Sequence, residues 1–206
     1  MIDLAKLDKI RADRGYLTLA ETVALIDDGN AVLDPFSLLV ARGVTLGRGN
    51  TFYPNVTIVC AAGGTIAIGD DNTFHSGTSL FAVAGRIVIG ARNQFGEGGF
   101  IAKADRAGAA IEIGDAGRYL GGAAVYAAAQ LGSGSQILGA VAVQDCTLGA
   151  GGSHAEPDPD LRGAVLKGVG RARHLTLSTG QVIQGNGMFD AKDVKPQSFY
   201  HPPASA

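Results

Sequence analysis

Leu46-Gly47-Arg48-Gly49-Asn50-Thr51 runs on to Phe52 and then to Ile58. The same order restarts at Ile68-Gly69-Asp70-Asp71-Asn72-Thr73, followed by Phe74 and Leu80. It restarts again at Ile89-Gly90-Ala91-Arg92-Asn93-Gln94, followed by Phe95 and Ile101. A large apolar residue at every sixth position fits neither the alternation of an ordinary strand nor the period of a helix. It predicts three short, flat strands per turn of a coil, each turning one large and one small side chain inward. Stacked coils then bury the apolar rows and pair their backbones with the coils on either side.

Two further triplets, Ile113/Tyr119/Val125 and Leu131/Ile137/Val143, extend the pattern. Gly47, Gly69, Gly90, Gly114, Gly132 and Gly149 each follow the first member of a triplet. Asn50, Asn72 and Asn93 form a second row, continued by Gly117 and Ser135. Ile113 and Leu131 are 18 residues apart, the length of an uninterrupted coil, whereas Leu46 to Ile68 takes 22, Ile68 to Ile89 takes 21 and Ile89 to Ile113 takes 24. The surplus falls near 60–65, 82–86 and 102–110, which predicts turns stacked into a ridge along one edge. Phe52, Phe74, Phe95 and Tyr119 share an inward row and should stack. An antiparallel sandwich would not keep this registration, and the repeat holds no Asn-Gly hairpin dipeptide.

Residues 1–36 do not share the repeat. Leu4, Leu7 and Ile10 recur at helical spacing, Thr18-Leu19-Ala20-Glu21 is a capping box, and Gly29 offers a left-handed stop. Two short helices, roughly 2–14 and 18–28, are expected to cap the open end of the stack and protect its unpaired edge. The stack should occupy 37–190, with a loop at 150–164 expelled because Pro157 and Pro159 cannot donate to a ladder. Val165-Leu166 resumes the pattern, and Leu177, Ile183 and Phe189 keep the six-residue step. Residues 191–206 read as an extended strap or a loose end.

A chain of 206 residues can build one sizeable core. Its net charge of -2 points to neither nucleic acid nor an anionic membrane surface. No apolar run is long enough for a membrane helix, and Met1-Ile2-Asp3 begins no signal peptide. Cys60 and Cys146 stand far apart, as expected of reduced thiols in a cytoplasmic protein.

On these residues the chain resembles the hexapeptide-repeat, left-handed parallel β-helix family, whose signature is aliphatic-Gly-x-x-Asn/Ser/Thr-x. The match covers about 44–150 well and 165–190 loosely. The resemblance implies an all-β, left-handed parallel β-helix with a short N-terminal helical segment. It also implies a homotrimer, and acyl transfer from coenzyme A or an acyl carrier to a sugar or small amine. In sugar acetyltransferases of this family a loop leaves the coil at a similar place, with a catalytic His near its start and an Arg further on. Here His154 opens the loop and Arg162 closes it, although Ala155 stands where Pro is usual.

A neutral imidazole can take the proton of a hydroxyl or amine as it attacks a thioester. Asp158 or Asp160 is placed to orient the ring. His75, outward after Phe74, is the second candidate base, with Tyr53 and Glu97 beside it and a glycine strip nearby. Tyr53, Glu97, Asp158, Asp160 and Arg162 are therefore the candidate substrate-binding residues. Lys167, Arg171 and Arg173 are a candidate grip on the phosphates of coenzyme A. Acetyl-CoA or an acyl carrier is expected as co-substrate, with no tightly bound cofactor.

Some proteins of this fold are zinc enzymes resembling γ-class carbonic anhydrases. His75, His154, His174 and His201 lack the HxxxxH spacing of that site, so no metal ligands are assigned. The alternative to an enzyme is a catalytically silent binding or structural module. The apolar stretch around Leu120, Val125 and Ala127-Ala128-Ala129 favours it, as a subunit interface or an acyl groove.

Overall fold

The structure, a computed structural model, describes residues 4–201. The expected start of the first helix at residue 2 and the Pro202-Pro203 end of the tail lie outside the described residues. Two helices, α1 (Leu4–Asp13) and α2 (Leu19–Asp27), precede a stack of coils. The Glu21 amide donates to Thr18 Oγ1 at 3.2 Å and the Thr18 amide donates to Glu21 Oε2 at 2.8 Å, closing the capping box. Arg42 donates to the same carboxylate at 2.7 Å. That bond first, then those from Thr18, pulls the Glu21 pKa down to about 2. Gly29, at φ 89°, turns the chain out of α2. Arg11 of α1 is only 4% exposed and donates to the Phe36 carbonyl at 2.7 Å, tying the helices to the first coil.

The rest is an all-β, left-handed parallel β-helix with three faces. The first face pairs Val32 with Phe52, then continues through Phe74, Phe95, Tyr119, Ile137, Leu166 and Ile183. The second runs from Val40 through Ile58, Leu80, Ala102, Val125 and Val143 to Ala172. The third runs from Leu46 through Ile68, Ile89, Ile113, Leu131 and Leu148 to Leu177. All these pairings are parallel, so every coil rests on the next. Pairing begins at Ala31–Val32, inside the stretch expected to be cap. The surplus residues form turns between Cys60 and Thr65, Ala82 and Arg86, and Ala104 and Ala110, stacked as expected.

Along the inward row, Phe52, Phe74 and Phe95 stack at centroid separations of 5.1 Å, and Phe95 meets Tyr119 at 5.3 Å. Beside them runs a buried asparagine ladder. Asn30 Oδ1 accepts the Asn50 amide, Asn50 Oδ1 accepts that of Asn72, and Asn72 Oδ1 accepts that of Asn93, each at 3.0 Å. The row changes at Gly117, where a Cβ would lie 2.4 Å from the Tyr119 hydroxyl. That hydroxyl fills the missing asparagine's place and meets Ser135 Oγ at 3.0 Å. Tyrosine therefore replaces phenylalanine where the ladder needs a polar atom.

One inward position differs from expectation. Ala102, not Ile101, pairs with Leu80 and faces the core, while Ile101 is 37% exposed. The corner Gly96–Gly99 carries one extra residue, with positive φ at Gly96, Glu97, Gly98 and Gly99. Glycines absorb that conformation at little cost, so the slip is taken up in the corner and the strand behind it stays flat. Phe100 fills the enlarged corner against Phe95 and Tyr119. The supposed apolar surface near Leu120 is also mostly internal, since Val125, Ala127 and Ala129 are buried.

The loop after Leu148 leaves between the third and first faces. Its neck is closed by Gly163 N–H donating to the Gly152 carbonyl at 2.9 Å, and Pro159–Leu161 forms a 3-10 turn. The chain then completes one more coil, through Leu166, Ala172 and Leu177, and adds the strand Gln181–Met188 before Lys195–Pro196 returns antiparallel to Gln181–Val182 as a strap.

Candidate active site

The first face presents alternate residues outward, because each strand there has one inward side chain. Arg118, Gln136, Val165 and Val182 form one outward column, and Leu138, Lys167 and Gln184 the neighbouring one. The loop comes back over these columns and brings His154 and Arg162. The strap adds Gln197, Tyr200 and His201. Together they enclose a cleft of about 230 Å³. Three segments distant in the chain thus build one site.

Each wall is fixed by identifiable contacts. Arg162 is held by its Nε donating to the Glu156 carbonyl at 2.7 Å. The strap is anchored by buried Gln197, whose Nε2 donates to the Gly163 carbonyl at 2.8 Å. The Ser198 amide donates to Asp160 Oδ1, also at 2.8 Å. Asp160 is thereby committed to the strap, and this bond is the first cause of its lowered pKa. Asp158 caps the 3-10 turn by accepting the Asp160 amide at 3.0 Å. Neither acid lines the cleft, so neither orients His154 as the sequence suggested.

His154 stands exposed at the cleft mouth. Partial desolvation lowers its pKa first, and the positive charges of Arg118 and Arg162 lower it further. These effects favour the neutral ring, the form that can accept a proton. Among the described residues that line the cleft none is acidic, while Arg118, Arg162 and Lys167 are cationic.

His75 lies elsewhere on the same face. Its ring meets that of Tyr53 at 4.7 Å, and its Nε2 is 3.8 Å from Glu97 Oε1, so the expected trio does assemble. A Cβ on Gly96 would come within 2.6 Å of the His75 Cβ, which explains glycine beneath the ring. Along the outward column, however, Gly96 and Leu120 separate His75 from Leu138. At strand spacing this is about 14 Å, too far for both histidines to reach one reacting atom.

The basic stretch is divided by the corner at Gly168–Gly170. Lys167 faces the cleft, whereas Arg171 and Arg173 border a separate hollow with Tyr126 and Gln144 on the second face. One phosphate group therefore cannot meet all three within a chain. No group of three or more His, Cys, Asp or Glu suited to a metal occurs among the described residues. His154 and His201 share the cleft, and His75 and His174 do not line it. Cys60 and Cys146 are both free, and burial raises the Cys146 thiol.

Arg118, Gln136, Gln197, Tyr200 and His201 were not singled out from the sequence. The hexad register alone marks Arg118 and Gln136 as outward, but nothing in it signals the loop and strap above them. No helix among the described residues is long and apolar enough to cross a membrane. Compared with known proteins, the chain matches no protein-family model and no curated protein sequence.

Proposed function

We propose that the protein is an acyltransferase of the hexapeptide-repeat kind, with His154 as its general base. The observation that carries this reading is an exposed imidazole at the mouth of a cleft lined by Arg118, Arg162 and Lys167, with its pKa lowered by desolvation and by the two arginines. The acceptor's hydroxyl or amine attacks the carbonyl of a thioester on coenzyme A or an acyl carrier. His154 takes the acceptor's proton, the new C–O or C–N bond forms as the C–S bond breaks, and the proton passes to the leaving thiolate. Lys167 supplies charge for a donor phosphate. The acceptor is a sugar or small amine, and the reducing cytoplasm suits two free cysteines.

Three such chains form a homotrimer, supported by the half-exposed Tyr126 and Ile101 on the second face, which need a cover. Acyl transfer from acetyl-CoA to a panel of amino sugars tests the reading. His154→Ala should lower turnover about 10²–10⁴-fold, as for loss of a general base, with acetyl-CoA binding intact. Because the imidazole must be neutral, wild-type kcat/KM should fall as pH drops through a value below 6.5. Light scattering should give three times the 21.0 kDa chain mass. Activity within a few-fold of wild type in His154→Ala removes His154 from the role.

One observation favours a second reading, a binding module without chemistry. Among the described residues no side chain hydrogen-bonds the His154 ring, since Asp158 and Asp160 are engaged elsewhere. Acetyl-CoA or acceptor binding without turnover would establish that reading instead.

A further inference from the structure

Among the described residues four of the eleven arginines form ion pairs with acids, across coils or onto the helical cap. Arg42 meets Glu21, Arg86 meets Glu112, Arg92 meets Asp115 and Arg106 meets Asp145. Arg118 is not among them, and one of its atoms sets it apart. It has no carboxylate partner among the described residues, and its Nε is buried without any hydrogen bond. A buried donor left unmade is costly, and on a guanidinium more so.

Gln136, on the next coil, is 5% exposed. No described residue hydrogen-bonds its side-chain amide, yet it lines the same cleft. Arg162 and Lys167 add positive charge, and Leu138, Val165 and Val182 supply an apolar strip beside them. Two adjacent unpaired polar side chains, extra cations and no acid describe a site whose missing partner is an anion.

We infer that the cleft takes a small organic oxyanion, with a carboxylate or phosphate against Arg118 and Gln136 and an apolar portion along Leu138, Val165 and Val182. This rests on the cleft being the working site, and it names the acceptor as an acidic molecule. It does not depend on acyl transfer. The Arg118 guanidinium and the Gln136 amide line the cleft on adjacent coils and can both donate to the anion's oxygens, and Tyr200 from the strap borders the same cleft.

Calorimetric titration of the full chain with inorganic phosphate and, separately, butyrate tests the site, with chloride as reference. At least one should bind more tightly than chloride, and which one does identifies the group. Arg118→Gln should weaken that binding about tenfold or more, as expected for a charge-assisted bond, while Arg48→Gln on a distant coil leaves it unchanged. In the unmutated protein, bound anion should raise the His154 pKa read from its ring protons, because it offsets the two arginine charges. That readout holds even if Arg118→Gln misfolds. Neither anion exceeding chloride, equal weakening by Arg48→Gln, or an unmoved His154 would overturn the inference. Anion binding without any acyl transfer leaves the oxyanion site standing and removes the transferase. Transfer to neutral amino sugars, undisturbed by phosphate or butyrate, does the reverse.

Discussion

Phe74 lies between two stacked rings, 5.1 Å from each, and is fully buried. Removing it leaves a void that flat coils pinned by backbone pairing cannot close. Phe74→Ala should therefore destabilise the fold by about 3–5 kcal/mol in denaturant melts. A loss under about 1 kcal/mol would be at odds with this row. The aromatic row and the asparagine row were legible in the sequence because each coil repeats the same demand at the same place. Ile101 was misplaced because Ile101 and Ala102 both suit an inward position, and the period preferred the larger. Only the conformation of Gly96–Gly99 decides between them. Arg118 and Gln136 resemble solvated outward residues in the sequence. What distinguishes them is the cover brought by segments far along the chain, as when Ser198 reaches Asp160.

At the scale of elements, one carboxylate joins the start of α2 to the coil beneath it, beside the tie made by Arg11. Glu21 is bound by Thr18 and Arg42, and its folded pKa of about 2 lies below its ordinary 4.5. A carboxyl depressed on folding contributes stability above its ordinary pKa and loses it as pH falls through the folded value. α1 and α2 should thus loosen between about pH 4.5 and 2, seen as faster amide exchange over Leu4–Asp27 than in the coils. Asp34, Asp160 and Asp190 are also lowered, so the comparison is with Glu21→Gln, in which the cap's part of the dependence should vanish. An unchanged acid profile in that variant would locate the sensitivity elsewhere. The helices and their caps were readable because capping is local chemistry. The C-terminal segment was readable as either a strap or a loose end, since the anchor that decides for a strap is the contact of Gln197 with distant Gly163.

For the whole molecule, the faces and the ridge follow from counting residues between repeats, whereas the cleft follows from where one loop and one strap come to rest. The coil-on-coil pairing has a mechanical consequence. Strands lie across the axis, so their hydrogen bonds point along it. A pull on the two ends loads these bonds one coil after another, like a zipper, and never all at once in shear. The molecule should be soft along its length and stiff across it. Drawn out by its ends in an optical trap, it should yield in small steps. The coil from Ile68 to Ile89 holds 21 residues and would release about 70 Å of chain. A single abrupt rupture of the whole stack would show that its coils yield together.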